Sequence, residues 1–358
     1  MTSEPEVLFA RRGEAGIITL NRPRALNALT HAMVREIHPR LRAWAEDPGI
    51  TRVVLKASGE RAFCAGGDIR VVYELGRAGR HDDAIAFWHD EYLLNAYIGA
   101  YPKPYVSLID GICMGGGFGL SAHGTYRVAG ERYLFAMPEV NIGLFPDVGG
   151  THVLPRIPRA RGVYLALTGA RIKAADAFAA GLATHAVPSD RFAALEDALC
   201  EGGMVAAVLS GFHQDPGPAP LDAQDALITD VFGRTDLYDI LARLDALAAQ
   251  GGEDGAFAAA AAKSMRAACP TSLAIAMEQM RRGPGLDLAG CLVTEFRIVN
   301  RVARGHDFYE GVRAVLVDKD NAPRWDPAQI DAVDAATISA HFAPLEHDLP
   351  LSAGAAGA

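Results

Sequence analysis

The chain has 358 residues and a mass of 38.0 kDa, with 43 acidic against 34 basic residues, a formal net charge of −9 and a half-hydrophobic composition. That length supports a large core, as one domain with an appendage or as two, while the acidic balance argues against nucleic acid or an anionic membrane surface as partner. No apolar run reaches the roughly 18 residues that span a bilayer, and five scattered cysteines (Cys64, Cys113, Cys200, Cys269 and Cys291) form no CxxC pair, which excludes a disulfide framework or structural zinc site. The opening MTSEPEVLFARR is acidic and lacks an apolar targeting core, so with reduced cysteines a cytoplasmic location is expected.

In chain order, GIITLN (Gly16–Asn21) and VVLKAS (Val53–Ser58) predict strands, with an amphipathic helix from about Thr30 to Asp47 between them. Thr30 suits that helix's N-cap. A second helix is predicted from about Asp82 to Tyr101, ended by Pro102 and Pro104, and YVSLID (Tyr105–Asp110) predicts a buried strand. This alternation implies an α/β architecture, helices on largely parallel sheet. After about Val187 the strand signals fade. DPGPAPLD (Asp215–Asp222) and GGEDG (Gly251–Gly255) interrupt helical segments such as AFAAAAAKSMRAA. We expect a core over residues 1–200, a helical region over 201–345 and a disordered tail over 346–358 that includes SAGAAGA.

Two glycine-rich turns each follow a strand and open a helix: FCAGGDIR (Phe63–Arg70) and GICMGGGFGLSAHG (Gly111–Gly124). Glycine lets a backbone N–H approach a ligand closely, and a helix N-terminus presents unsatisfied N–H groups to negative charge. Facing one another, two such turns make an oxyanion hole; separately, they only permit tight turns. Neither is a GxGxxG dinucleotide fingerprint or a P-loop. FAMPEVNIGLFPDVGG (Phe135–Gly150) then sets Glu139 and Asp147, each directly after a proline, in apolar surroundings. A carboxylate there costs free energy unless it is paired, hydrogen-bonded or neutralised.

NRPRALNAL, FCAGGDIR, DGICMGGGFGL and FAMPEVNIGLFPDVGG, in this order, resemble the crotonase (enoyl-CoA hydratase/isomerase) superfamily. The resemblance implies a crotonase (ClpP-like) fold of repeated ββα units with a helical C-terminal region. It also implies an acyl-CoA substrate and an oxyanion hole made by the amides of Gly67 and Gly116. The residue where hydratases carry one of two catalytic glutamates is Gly119 here, while Glu139 matches the second; Asp147 stands where hydratases have glycine. GLFPDVGG, CPTSLAIAMEQMRRG (Cys269–Gly283) and RGHDFYEGVRAVLVDKDNAPRWDP (Arg304–Pro327) resemble the 3-hydroxyisobutyryl-CoA hydrolase branch.

That branch implies hydrolysis of a short 3-hydroxyacyl-CoA thioester in valine breakdown. Glu139 would act as general base or carboxylate nucleophile, with Asp147 orienting water or the substrate hydroxyl or sharing a proton with Glu139. Asp147 could also cap the helix at VGGTH. Glu91, which with Asn95 interrupts an apolar stripe of the second helix, would touch the acyl group by the same resemblance. Substrate contacts are thus expected at Glu91, Gly116, Glu139 and Asp147. No metal or redox cofactor is expected, CoA arriving with the substrate; a homo-oligomer is left open. An enoyl-CoA hydratase and a silent acyl-CoA-binding subunit are the alternatives, disfavoured by Gly119 and by retention of both carboxylates respectively.

Lesser candidates have plainer roles. Asp68 is expected to cap the helix after Gly67, Cys64 and Cys113 to be packed, and His123 and His152 to be structural. Of Arg22, Arg24, Lys56, Arg61 and Arg70, which flank loops that line the CoA pocket in the resembled family, one or two are expected to meet phosphates. No GxSxG elbow suggests an α/β-hydrolase.

Overall fold

A computed structural model describes residues 4–352, and its strands divide between two sheets. They are β1 (Val7–Arg12), β2 (Ala15–Leu20), β3 (Arg52–Ala57), β4 (Ala62–Cys64), β5 (Tyr105–Ile109), β6 (Ile112–Met114), β7 (Tyr126–Ala129), β8 (Leu134–Ala136), β9 (Ile172–Lys173) and β10 (His185–Ala186). One sheet has six strands in the order β1-β2-β3-β5-β7-β10, the other four in the order β4-β6-β8-β9. Only the outer pairs β1/β2 and β8/β9 are antiparallel. Successive units therefore send one strand to each sheet, as β3/β4, β5/β6 and β7/β8, which is the expected ββα repeat.

The helices of the first half are α1 (His31–Glu46), α2 (Ile69–Arg77), α3 (His81–Gly99), α4 (Gly116–Ala122), α5 (Gly150–Val153), α6 (Arg161–Thr168) and α7 (Ala174–Ala179). They continue with α8 (Phe192–Glu201), α9 (Val205–Phe212), α10 (Asp225–Phe232), α11 (Leu237–Ala248), α12 (Gly252–Ala267), α13 (Pro270–Arg282), α14 (Leu288–Val302), α15 (His306–Val312) and α16 (Ala335–His341).

Local chemistry explains the elements nearest the site. Thr30 caps α1 by accepting from the Met33 N–H, and the stripe Met33, Val34, Ile37, Leu41 and Trp44 is buried. The middle strands are apolar on both faces because both are covered. On one side lies the main core; on the other, Leu195, Leu199, Val205 and Leu209 of α8 and α9 pack on Ile17, Val54, Val106 and Val128. Helix α3 is buried on more than one face, between α1, α2, α4 and α14. Any polar side chain it points inward must find a partner there.

The expected tail begins too early at residue 346. Arg297 of α14 holds Asp348 through hydrogen bonds of 2.9 and 3.1 Å, and Leu349 is buried. An ion pair and an apolar anchor thus fix a stretch read as tail from its small neighbours. Residues 353–358 lie outside the described part of the chain.

Candidate active site

Strands β4 and β6 run side by side and parallel, pairing Cys64 with Cys113, so the turns that follow them emerge together. Gly66 has φ +117° and Gly115 φ +44°, conformations that favour glycine. A Cβ on Gly116 would lie 3.3 Å from the Gly67 nitrogen, which brings the two turns into contact. Leu29 pairs with Gly67 in a parallel bridge, donating to the Gly66 carbonyl and accepting from the Asp68 N–H, so the Gly67 N–H is not used in it. Gly116 is the first residue of α4, where an N–H has no intrahelical acceptor. Among the described residues, neither the Gly67 nor the Gly116 N–H has a partner, as an oxyanion hole requires.

Two of the predicted carboxylates lie at this pair of turns, and the charge of the third, Asp147, reaches both. The same Cβ on Gly116 would meet Glu91 Oε1 at 2.7 Å, and one on Gly115 would meet Glu139 Oε1 at 3.1 Å. Glu139 opens a short 3-10 helix after Pro138, is 6% exposed, and leaves Oε2 without a partner. Burial, and then the charge of Asp147, hold its carboxyl well above the usual range. Glu91 projects from α3, is fully buried, and has an unpartnered Oε1; burial, Asp147 and Glu295 push it up in the same way.

Asp147 accepts a hydrogen bond of 2.8 Å from the Tyr92 hydroxyl. Burial raises its carboxyl to about 7, against the lowering effect of Tyr92. Its side chain caps no helix: α5 starts at Gly150 without a side-chain cap. The residue after it, Val148, sits at φ +50°, a strained conformation for a β-branched side chain. Three side chains from distant elements hold that turn. Glu295 of α14 accepts from the Gly149 and Thr151 N–H groups at 2.8 and 2.9 Å. Gln279 of α13 donates to the Pro146 carbonyl at 2.9 Å. His123, whose burial lowers its pKa to about 4 and keeps it neutral, donates to the Val148 carbonyl at 2.7 Å. The helical C-terminal region therefore braces the Asp147 turn.

Sequence reasoning missed Tyr92, Gln279 and Glu295. A signal existed for Glu295, a lone acid within the apolar run CLVTEFRIV, but nothing local says what it bonds. Asp68 does not cap α2; its side chain takes a 3.0 Å bond from Arg22, whose guanidinium also pairs with Glu6. Lys56 is tied to Glu196 and Arg70 to Glu74, leaving Arg24 and Arg61 as exposed cations without acidic partners among the described residues. Burial raises the Cys64 and Cys113 thiols to about 12, which leaves no thiolate nucleophile at neutral pH. The RGHDFYEGVRA segment packs across the site: Phe308 stacks edge-on with Trp88 at 5.8 Å, and α15 lies against the Glu139 turn.

A cavity of about 610 Å³ is lined by His123, Arg127, Arg156 and Leu288, beside the Asp147 turn. It contains neither the free amides nor the carboxylates Glu91, Glu139 and Asp147, so the candidate site is the amide pair instead. There the nearest opening, beside Leu29, Asp68 and Phe87, holds only about 50 Å³. This is a closed site with two free amides and carboxyl groups whose pKa values burial raises. Such an arrangement has the chemistry to hold an oxyanion and to move protons beside it.

The enoyl-CoA hydratase/isomerase family matches residues 15–342. The 3-hydroxyisobutyryl-CoA hydrolase of Danio rerio is 44% identical, covering 97% of this chain and 92% of its own. The enzyme of that name from Homo sapiens is 43% identical, covering 95% and 89%. Among solved structures, a carnitinyl-CoA dehydratase from Mycobacterium thermoresistibile superposes with TM-score 0.91 at 41% identity, covering 97% and 98%. An enoyl-CoA hydratase from Rhodobacter sphaeroides does so with TM-score 0.88 at 42% identity, covering 95% and 98%. The chain belongs to the enoyl-CoA hydratase/isomerase (crotonase) family, in its 3-hydroxyisobutyryl-CoA hydrolase branch. The cytoplasmic expectation is overturned, because these hydrolase relatives are named as mitochondrial. Reduced cysteines report a redox state, which more than one compartment shares.

Proposed function

We propose that this protein hydrolyses 3-hydroxyisobutyryl-CoA to 3-hydroxyisobutyrate and CoA. The observation that carries the reading is the pair of free Gly67 and Gly116 amides beside Glu139, itself within reach of the Asp147 charge, at a site that has no room for a hydratase's other glutamate. A Cβ on Gly119 would lie 2.7 Å from Val148 Cβ and 2.9 Å from Asn95 Nδ2. Hydration of a double bond, in the family's pattern, uses two glutamates around one water, and position 119 cannot supply one. The dehydratase and hydratase names of the two similar structures thus do not carry over to this site.

The thioester oxygen would sit on the amide pair. Burial raises both carboxyls, Asp147 to about 7 and Glu139 in the same direction with the charge of Asp147 adding to it, so that one member can act as base while the other carries a proton. The ionised member takes a proton from water as its oxygen bonds to the thioester carbon, and the carbonyl electrons move onto the oxygen held by the two amides. Collapse breaks the C–S bond, and the protonated member gives its proton to the leaving sulfur. These steps need no metal or redox cofactor, and we assign none. Consumption of this thioester would place the protein in valine breakdown.

The test is thiol release by Asp147→Asn, which keeps the size of the side chain and removes its charge. A loss on the order of a hundredfold or more, with a native circular dichroism spectrum, is expected. Near-normal turnover would reduce Asp147 to a structural role and remove the pair from the reaction.

A further inference from the structure

Helix α3 points a second polar side chain into the site, one turn beyond Glu91. Asn95 is 0% exposed, and both its Nδ2 and Oδ1 lack a hydrogen-bond partner. A buried amide with neither donor nor acceptor used is costly, and folding alone gives no reason to keep it. Its surroundings indicate what it faces. Glu91 lies against Gly116 and Asn95 against Gly119, so the two side chains form a row along one turn of α4, leading away from the free amides. Val148, which follows Asp147, lies against Gly119 as well. Asn95 occupies the space that a side chain at position 119 would need, and so fills the place of the family's absent glutamate with a neutral group.

We propose that Asn95 is a specificity-determining residue that hydrogen-bonds the substrate's 3-hydroxyl group. This rests on the hydrolase reading and adds to it the group that selects a hydroxylated acyl chain. A hydroxyl both donates and accepts, and a carboxamide offers one of each: Oδ1 takes the O–H, and Nδ2 donates to its oxygen. An ionised carboxylate could only accept. With the carbonyl oxygen on Gly67 and Gly116, the third carbon of a short acyl chain would lie a few ångströms further on, and the Glu91–Asn95 row leads away from the same amides. An acyl chain without the hydroxyl would leave the buried amide unpaired, which is how a site of this kind rejects the lesser analogue.

The experiment compares kcat/KM for thiol release from 3-hydroxyisobutyryl-CoA and from isobutyryl-CoA, which differ only in that hydroxyl, in the wild type, Asn95→Leu and Asn95→Ala. For the variants we expect at least about a tenfold loss on the hydroxylated thioester and about a threefold change or less on isobutyryl-CoA. Asn95→Leu, which swaps an unpaired amide for a side chain of similar shape, should not lower the melting temperature. Should it fail to fold, Asn95→Ala reads the same ratio. An equal loss on both thioesters, or an unchanged preference for the hydroxylated one in an active folded variant, overturns the assignment and leaves the hydrolase reading standing. Absence of thiol release by the wild type from either thioester overturns both.

Discussion

Replacing Tyr92 by phenylalanine removes one atom, the hydroxyl that donates to Asp147 Oδ2 at 2.8 Å. Both partners are buried, at 0% and 4% exposure. A hydrogen bond to a buried charged group contributes about 1.5–3 kcal/mol, and one pKa unit corresponds to about 1.4 kcal/mol. The bond favours the ionised carboxylate, so its loss should raise the apparent pKa of the carboxyl pair by about one to two units from the value of about 7 that burial sets for Asp147. At pH 7 the ionised fraction would fall from about half to between about 1 and 10%, and thiol release by about five- to fiftyfold. Activity should recover at about pH 9, where the carboxylate is again ionised. The assay is the pH profile of kcat/KM for both proteins, with alkaline thioester breakdown subtracted. A parallel loss at every pH, with the limb unmoved, would refute the claim that Asp147 ionisation controls the rate.

Three further outcomes test other parts of the account. Gly116→Pro removes an N–H of the proposed oxyanion hole and should cost about 3–4 kcal/mol of transition-state stabilisation; full activity in a variant shown by circular dichroism to be folded would sink that assignment. Asp147 and Glu295 have folded pKa values raised to about 7 and about 8. The stability tied to their neutral forms is complete below about pH 4 and is lost as pH rises through 7 and 8. The melting temperature should therefore fall between pH 6 and 8.5, and fall less in Asp147→Asn; an equal slope in both would contradict the assignment. Glu295→Ala, which strands two buried N–H groups, should cost about 3–5 kcal/mol, a loss that calorimetry would show.

What could be read from sequence was local. Glu139 and Asp147 follow prolines, and Gly67 and Gly116 sit in glycine turns after strands, so short-range backbone preference marks them. Glu91 shows because it breaks an apolar stripe at helical spacing. The braces of the Asp147 turn are different in kind. Glu295 and Gly149 are far apart in the chain, and only the packing of α14 against α3 and α5 brings them together. Asp68 had the sequence of a helix cap, yet Arg22, reaching from the segment before α1, takes its carboxylate instead. Tertiary pairing overrode local propensity there, as it did at Asp348 in the supposed tail.

The central claim is a choice of reaction, and one preparation of the wild-type protein tests it. Thiol release from 3-hydroxyisobutyryl-CoA and loss of enoyl absorbance from crotonyl-CoA are followed side by side. With Gly119 closed off by Val148 and Asn95, we expect rapid thiol release and negligible hydration. Fast hydration of crotonyl-CoA with no thiol released would contradict the account and restore the hydratase.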